Sequence, residues 1–365
     1  MDRLRLRGMA PPGGRPFGPD NQFDTSIYDY DLPKSMIAQA PAEPRDSSKL
    51  MVIDRASSTI RHRTFRDILC FLQGTDLLVL NDTRVVKARL HAVKPGGGAR
   101  VEVFLLKPLG REGVVLWETL IKPGRRVKPG QRLILDCGIE VVIGERSGQG
   151  ARVCRFPPGT DVWGLMEETG KMPFPPYVHN TLIDPERYQT VYGMQEGSVA
   201  APTAGLHFTS NLIEEITTKG VKLASLNLNV GLGTFRPVEE KDIRMHRMHS
   251  EACSIPDDTA LAVKKTKETG GRVIAVGTTV VRALESRATE EGRVIPGSFN
   301  TDAFFYPGYR FRVIDAMITN FHLPRSTLLM LVCAFAGKEL VMKAYEEAIE
   351  RQYRFFSFGD AMLIL

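Results

Sequence analysis

Histidines beside carboxylates and hydroxyls are the residues of this chain best suited to moving protons near neutral pH. His246 and His249 stand three apart in MHRMHSE, 245–251. On a helix that spacing would offer both to a metal, but no H-E-x-x-H pattern accompanies it. General acid–base work by His249 or Glu251 suits the segment better, with solvated surface residues as the competing reading. His207 ends the small-residue run of GSVAAPTAGLHFT, 197–209, where Pro202 and Gly205 would hold an unusual backbone path and admit a ligand closely. A tight chain crossing around a satisfied histidine competes there, and composition alone favours it. His322 shares TNFHLP, 319–324, with Asn320.

Other segments suit ligand binding rather than proton transfer. Gly277-Thr278-Thr279 opens an expected helix, whose free N–H groups and hydroxyls could hold a carboxylate or phosphate. A threonine cap with no ligand fits equally well. Arg282 and Glu285 are spaced to pair with each other on that helix. Gly231 and Gly233, with Thr234, follow an expected strand and could receive a nucleotide, but no third glycine follows and Pro237 does not suit a Rossmann helix. A tight turn competes. Asp82 and Arg84 in NDTR, 81–84, also follow a strand, where ligand sites of parallel sheets lie; a structural ion pair is the alternative. The aromatics of YPGY, 306–309, can stack bases or simply fill a core.

The elements that must position these residues fall into two textures. Residues 77–80 are an apolar strand ending in the polar turn Asn81-Asp82. From 86 to 158, short β-rich segments (99–106, 114–121, 132–135, 140–143 and 151–156) alternate with Gly/Pro turns, which predicts a small antiparallel barrel or sandwich. Beyond 158 the pattern predicts helices over 210–219, 257–269, 280–291, 327–336 and 339–352, and strands over 221–230 and 272–276. That alternation predicts βαβ units with a largely parallel sheet. The expected organisation is an extension over 1–22, rich in Arg, Gly and Pro and unable to recover its ordering entropy, an α/β domain over 23–85 and 159–365, and an inserted β domain over 86–158.

Composition excludes several classes. The longest apolar run, 328–336, is about half of what a bilayer crossing needs. Five scattered cysteines without a C-x-x-C pair argue against a disulfide framework or a cysteine-rich zinc site, and the cytoplasm is the default compartment. A net charge of +6 is compatible with a nucleic-acid partner without requiring one.

Taken together, the segments resemble the S-adenosylmethionine:tRNA ribosyltransferase-isomerases of queuosine biosynthesis. The resemblance runs collinearly from about Tyr28 to the C-terminus through DYDLPKSMIAQAPAEPRDSSKL (29–50), LNDTRV (80–85), KMPFPPY (171–177), RYQTVYG (187–193), GSVAAPTAGLHFT (197–209), NVGLGTFRPV (229–238), MHSE (248–251), IAVGTTVVRALES (274–286), YPGYRF (306–311), ITNFHLPRSTLLMLVCAFAG (318–337) and YRFFSFGDAMLI (353–364). The chain departs from that family's pattern at Asn229, where a histidine is usual, and at Asn300, where a tryptophan is usual.

The resemblance implies an α/β fold, a larger three-layer α/β/α domain with an inserted small antiparallel β-barrel. It implies transfer and isomerisation of the ribosyl part of S-adenosylmethionine onto the 7-aminomethyl-7-deazaguanine wobble base of tRNA, giving epoxyqueuosine with release of adenine and methionine. S-adenosylmethionine is then a consumed co-substrate and no cofactor is needed; from the residues themselves no metal is expected, and since nothing demands an oligomer the expectation is a cytoplasmic monomer. Within the matching motifs, residue chemistry suggests His249 or Glu251 as the base and His207 and His322 as alternative proton carriers. Asp82 and Asp302 would orient ribose or amine groups. Thr278, Thr279 and Arg282 would hold the methionine carboxylate, and the backbone of Gly231, Gly233 and Thr234 the adenosine, with Arg84 and Asn320 as further binding residues. A catalytically impaired RNA-binding paralogue and an S-adenosylmethionine-dependent RNA methyltransferase are the alternatives; the second lacks its expected G-x-G-x-G turn.

Overall fold

The computed structural model describes residues 20–98, 100–110, 113–147, 150–180, 183–231 and 237–365. In chain order the strands begin with β1 (Lys49–Asp54), β2 (Thr59–Thr64), β3 (Leu77–Asn81), β4 (Thr83–Val85), β5 (Arg89–Val93) and β6 (Val101–Pro108). There follow β7 (Val115–Lys122), β8 (Gln131–Leu135), β9 (Glu140–Arg146), β10 (Arg152–Phe156), β11 (Gln195–Ser198) and β12 (Lys222–Leu228). The last five are β13 (Glu251–Ile255), β14 (Val273–Val276), β15 (Gly297–Thr301), β16 (Ala316–Asn320) and β17 (Ala361–Ile364). The α-helices are α1 (Val162–Thr169), α2 (Ser210–Thr218), α3 (Asp257–Glu268), α4 (Thr278–Ser286), α5 (Thr327–Ala336) and α6 (Lys338–Glu350).

The chain forms two compact units. The smaller comprises residues 84–175 and 195–201, so it extends beyond 86–158 and takes in α1 and the stretch that begins GSVAA. Its strands close a barrel in the order β10-β7-β6-β5-β8-β9. Alternate residues turn inward, as a two-residue period demands: Leu90 and Ala92, Val103 and Leu105, Leu133 and Leu135, Val141 and Ile143, and Cys154 and Phe156 are all buried. Strand β5, with only Leu90 and Ala92 facing in between polar neighbours, was not legible as a strand in the sequence.

The larger unit holds a nine-stranded sheet in the order β15-β13-β12-β3-β14-β16-β17-β1-β2. The run β12-β3-β14-β16 is parallel. It is flanked by antiparallel pairs on both sides, so the sheet is mixed rather than largely parallel. Strand β3 (LLVLN) is buried along its whole length because both faces are covered, hence the unbroken apolar run. Leu78 and Leu80 pack with Leu212 and Ile216 of α2 on one face. On the other, α3 and α4 lie against β3, β12 and β14. Local chemistry sets the helix ends. Thr209 Oγ1 accepts the Leu212 N–H at 3.1 Å to start α2, and Ser326 Oγ accepts the Leu329 N–H at 3.2 Å to start α5.

Three expectations need correction here. Helix α4 begins two residues earlier than expected and stops at Ser286 instead of 291, because 287–294 turn back on themselves: Ala288 bridges Val294, and Thr289 N–H donates to Arg293 O at 2.8 Å. Its cap is Gly277, at φ 96°, with no side-chain cap bond, so no threonine cap forms. Residues 20–22, expected in the unstructured extension, belong to a 3-10 turn (Asp20–Phe23). Residues 1–19 lie outside the described residues.

Candidate active site

Several of the polar residues singled out from the sequence lie where the parallel strands end. In open α/β sheets that rim, at the point where connections diverge to either side, is where ligands bind. Strand β3 ends in Asn81 and runs into Asp82, β12 into Asn229, β14 into Gly277 and Thr278, and β16 ends at Asn320 with His322 just beyond.

Asn81 ties this rim together. Fully buried, its Nδ2 donates to Leu228 O at 3.0 Å and to Thr279 Oγ1 at 3.5 Å, while its Oδ1 accepts from Leu228 N–H at 3.1 Å and Thr83 N–H at 3.3 Å. Its signal in the sequence is a polar amide closing a strand otherwise wholly apolar.

Asp82 itself is buried, and its Oδ1 has no hydrogen-bond partner among the described residues. Burial raises its carboxyl pKa, an effect the side chains of Ser225 and Asn227 oppose only in part. Close by, Tyr192 carries a buried hydroxyl that is likewise unpartnered, its pKa pushed up by burial and by the Asp82 charge. Asn227 Nδ2 and Thr190 Oγ1 add two more unsatisfied buried atoms. Gly205 is needed here: a Cβ at that position would lie 2.0 Å from the Tyr192 hydroxyl.

The two histidines of the rim are closed systems. Asn320 Nδ2 donates to His207 Nε2 at 3.2 Å, since Asn320 Oδ1 is already accepting from Thr203 Oγ1 at 3.2 Å. The proton of the neutral ring therefore sits on Nδ1, which bonds Ser48 Oγ at 2.8 Å, and the ring stacks on Phe65 at 4.9 Å. Burial, reinforced by the charges of Arg354 and Arg45, pushes its pKa down to about 3. His322 bonds Thr319 Oγ1 through Nε2 at 2.8 Å, and burial lowers its pKa to about 3 as well. Both rings are neutral at physiological pH, so they hold the rim in place and are poorly matched to carrying protons.

Glu251 and Arg282, given separate roles from the sequence, bind each other. The Glu251 carboxylate takes the Arg282 guanidinium on Oε2 and the Gly231 N–H on Oε1 at 2.9 Å, and both side chains are almost completely buried. Arg282 Nε also donates to Ala303 O at 3.2 Å. Both Glu251 oxygens are thus committed to donors, while Arg282 Nη2 is buried with no hydrogen-bond partner among the described residues. Nor does Arg282 pair with Glu285, whose oxygens accept from the N–H groups of Arg312, Val313 and Ile314 at 2.9–3.1 Å and from the Tyr309 hydroxyl.

His249 is half-buried just before β13, in a stretch that is not helical, so the i, i+3 metal geometry does not arise. His246 turns to Glu240 at 2.9 Å. Among the described residues no group of three His, Cys, Asp or Glu side chains could hold a metal ion. Thr278 and Thr279 are buried at the start of α4. Asp302, beyond β15, is exposed to solvent. Arg84 belongs to the smaller unit, half-buried on β4. Gly233 and Thr234 lie outside the described residues.

Residues 25–364 match the family described as "Queuosine biosynthesis protein". The chain is 53% identical over 342 residues to the S-adenosylmethionine:tRNA ribosyltransferase-isomerase of Symbiobacterium thermophilum, covering 93% of this chain and 99% of the relative. It is 50% identical, with the same coverage, to the protein of that name from Desulforamulus reducens. A crystal structure of S-adenosylmethionine tRNA ribosyltransferase from Thermotoga maritima superposes with a TM-score of 0.53 at 42% identity, over 93% of this chain and 100% of that one.

Proposed function

The chain belongs to the queuosine biosynthesis protein family, and we propose that it is an S-adenosylmethionine:tRNA ribosyltransferase-isomerase. It moves the ribosyl part of S-adenosylmethionine onto the aminomethyl group of a 7-deazaguanine wobble base, with rearrangement to epoxyqueuosine and release of adenine and methionine. The carrying observation is the near-full-length identity to proteins of that name. S-adenosylmethionine is consumed as a co-substrate.

The chemistry asks for a base to remove a proton from the carbon beside the sulfonium, and for a donor to the departing adenine. Each such transfer is worth roughly 10²–10⁴ in rate. Asp82 is suited to one of them, because it is buried, one oxygen is unpartnered and burial raises its pKa above the usual carboxylate value. His249 is retained for the other, Glu251 being committed to Arg282. Tyr192 supplies a hydroxyl beside Asp82. Thr278 and Thr279 at the N-terminus of α4 remain in the role of binding the methionine carboxylate, as does Gly231 for the adenosine.

We place the protein in the cytoplasm as a monomer. No described helix is long and apolar enough to cross a membrane, and the large exposed apolar side chains, such as Trp163, Met194, Met245 and Leu261, are scattered along the chain. Light scattering on the purified protein tests the oligomeric state.

The deciding experiment incubates the protein with S-adenosylmethionine and tRNA bearing the aminomethyl-deazaguanine, follows adenine release and digests the tRNA for mass analysis. Adenine and epoxyqueuosine should appear together. A folded protein that binds both substrates and yields neither product would be an impaired paralogue, and transfer of a labelled methyl group to the RNA would make it a methyltransferase.

A further inference from the structure

Beyond α2 the sheet carries a face of amides and hydroxyls that runs toward Asp82. Residues paired across neighbouring strands share a face. Asn227 pairs with Ser254, and Ser254 with Ser298. One step along, Asn229 N–H donates to Ala252 O at 3.0 Å, and Ala252 pairs with Asn300. Asp82, whose N–H donates to Leu226 O at 3.0 Å, continues the first row toward the centre of the sheet. Helix α4 covers the other face of these strands, where Glu251 meets Arg282.

On the polar face lies a concavity of about 380 Å³, lined by Asn227, Asn229, Ser254, Ser298 and Asn300 together with Ala252, Cys253 and Phe299. That volume is within the range of small-molecule sites, roughly 300–1,000 Å³. Exposure falls along it from Ser298 and Asn300 at the open edge to Asn227 at 9%, next to Asp82. Asn227 closes the inner end of the concavity, where its side chain faces the Asp82 carboxyl. Thr83 Oγ1 donates to Asn229 Oδ1 at 3.3 Å and so directs the Asn229 amide away from itself.

The lining selects its ligand by chemistry. Among the described residues the lining has neither Lys nor Arg to neutralise a phosphate, and no carboxylate at its open edge to hold an ammonium or sulfonium. Three carboxamides, each presenting a donor and an acceptor side by side, match the edge of a purine, which offers the same pair in reverse.

We infer that the face formed by β12, β13 and β15 is a nucleobase subsite, in which Asn227, Asn229 and Asn300 read a purine edge and direct its nucleoside toward Asp82. Two purine sources share that chemistry under the proposed function, on which this inference rests for its substrates: the adenine of S-adenosylmethionine and a base of the tRNA anticodon loop.

Equilibrium binding separates them without requiring turnover. Asn300→Ala, at an exposed position, and Asn229→Ala are titrated with S-adenosylmethionine by calorimetry and with an anticodon stem-loop RNA by fluorescence anisotropy, alongside thermal melts. Loss of a bidentate amide contact should weaken one ligand about tenfold at an unchanged melting temperature. Weakened S-adenosylmethionine alone assigns the face to adenine, and weakened RNA alone assigns it to a tRNA base. Both affinities within twofold of wild type would overturn the subsite, as would equal weakening of both together with a lowered melting temperature. Should wild type bind neither substrate, the proposed function fails; adenosine and guanosine, observed by ligand-detected NMR, then decide the subsite, and it falls if neither binds in a manner sensitive to Asn300→Ala.

Discussion

Two parts of one rim carry buried polar side chains in similar density and differ in what those side chains have left to offer. Around β16, His207, Asn320 and His322 bond to one another's neighbours: Ser48 on one side, Thr203 above Asn320, Thr319 beneath His322. Between β3 and β12, Asp82, Tyr192, Thr190 and Asn227 each keep a buried atom without a partner among the described residues. An unmet buried donor or acceptor costs about 1–3 kcal/mol, which a fold retains only where water or a ligand meets it. Burial and polarity therefore do not by themselves distinguish these two parts of the rim; unspent hydrogen-bonding capacity does. The histidines attract notice in the sequence, but Asp82 is the residue we propose as the proton carrier.

The largest test of that contrast falls on Glu251, both of whose oxygens accept hydrogen bonds. Removing one partner of a buried ion pair leaves an uncompensated charge, so Glu251→Ala should destabilise the protein by about 3–5 kcal/mol in denaturant titrations. Replacing both partners, Glu251→Met with Arg282→Met, should recover most of that loss. If Glu251→Gln instead left stability unchanged and abolished adenine release, Glu251 would belong to the reactive side and the division would be wrong.

Asp82 should show the opposite pattern. Its pKa is raised in the folded state, so its charged form opposes folding: the stability its protonated form gives at low pH is lost as pH rises through the folded value. Asp82→Asn removes that opposition, and the melting temperature at neutral pH should hold or rise. Turnover, in contrast, should fall on the order of 10²–10⁴. A variant with wild-type adenine release would remove Asp82 from the chemistry.

The histidine cluster can be examined by pH. Both rings have folded pKa values near 3, below the unfolded value of about 6.5. Their contribution is fully present above about pH 6.5 and is lost as pH falls toward 3, because the unfolded chain takes up protons that the folded one refuses. The slope is about 1.4 kcal/mol per pH unit for each histidine. His207→Gln should reduce the pH dependence of unfolding between pH 6.5 and 5 by that amount. An unchanged slope would mean that His207 titrates normally and is open to proton transfer after all.

Much of the scaffold was legible because it rests on local chemistry. The apolar run of β3 and the Gly/Pro-punctuated strands of the barrel are each written in a few adjacent residues. The end of α4 was not, because the turn over 287–294 breaks a sequence that still has helical propensity. Nor was the division of roles at the rim. Arg282 and Glu285 have the spacing of a helical pair, yet Arg282 turns to a carboxylate 31 residues away on β13 while Glu285 collects backbone donors from the following loop. Ser48 and Tyr192 acquire meaning only from partners on distant strands and turns, and no local pattern announces them.

Ser48 gives the smallest and most discriminating effect. Its hydroxyl holds the Nδ1 proton of His207, and that bond together with Asn320 on Nε2 fixes one tautomer. Ser48→Ala leaves a buried N–H unmet and should lower stability by about 1–3 kcal/mol. Turnover below the melting temperature should stay within about threefold, because a ring that only supports the rim loses support and not chemistry. Were His207 a working proton carrier, the same change would free its tautomer and alter the pH profile of turnover while leaving the melting temperature nearly intact. The two readings thus differ in which of two measured quantities moves, and a single variant decides between them.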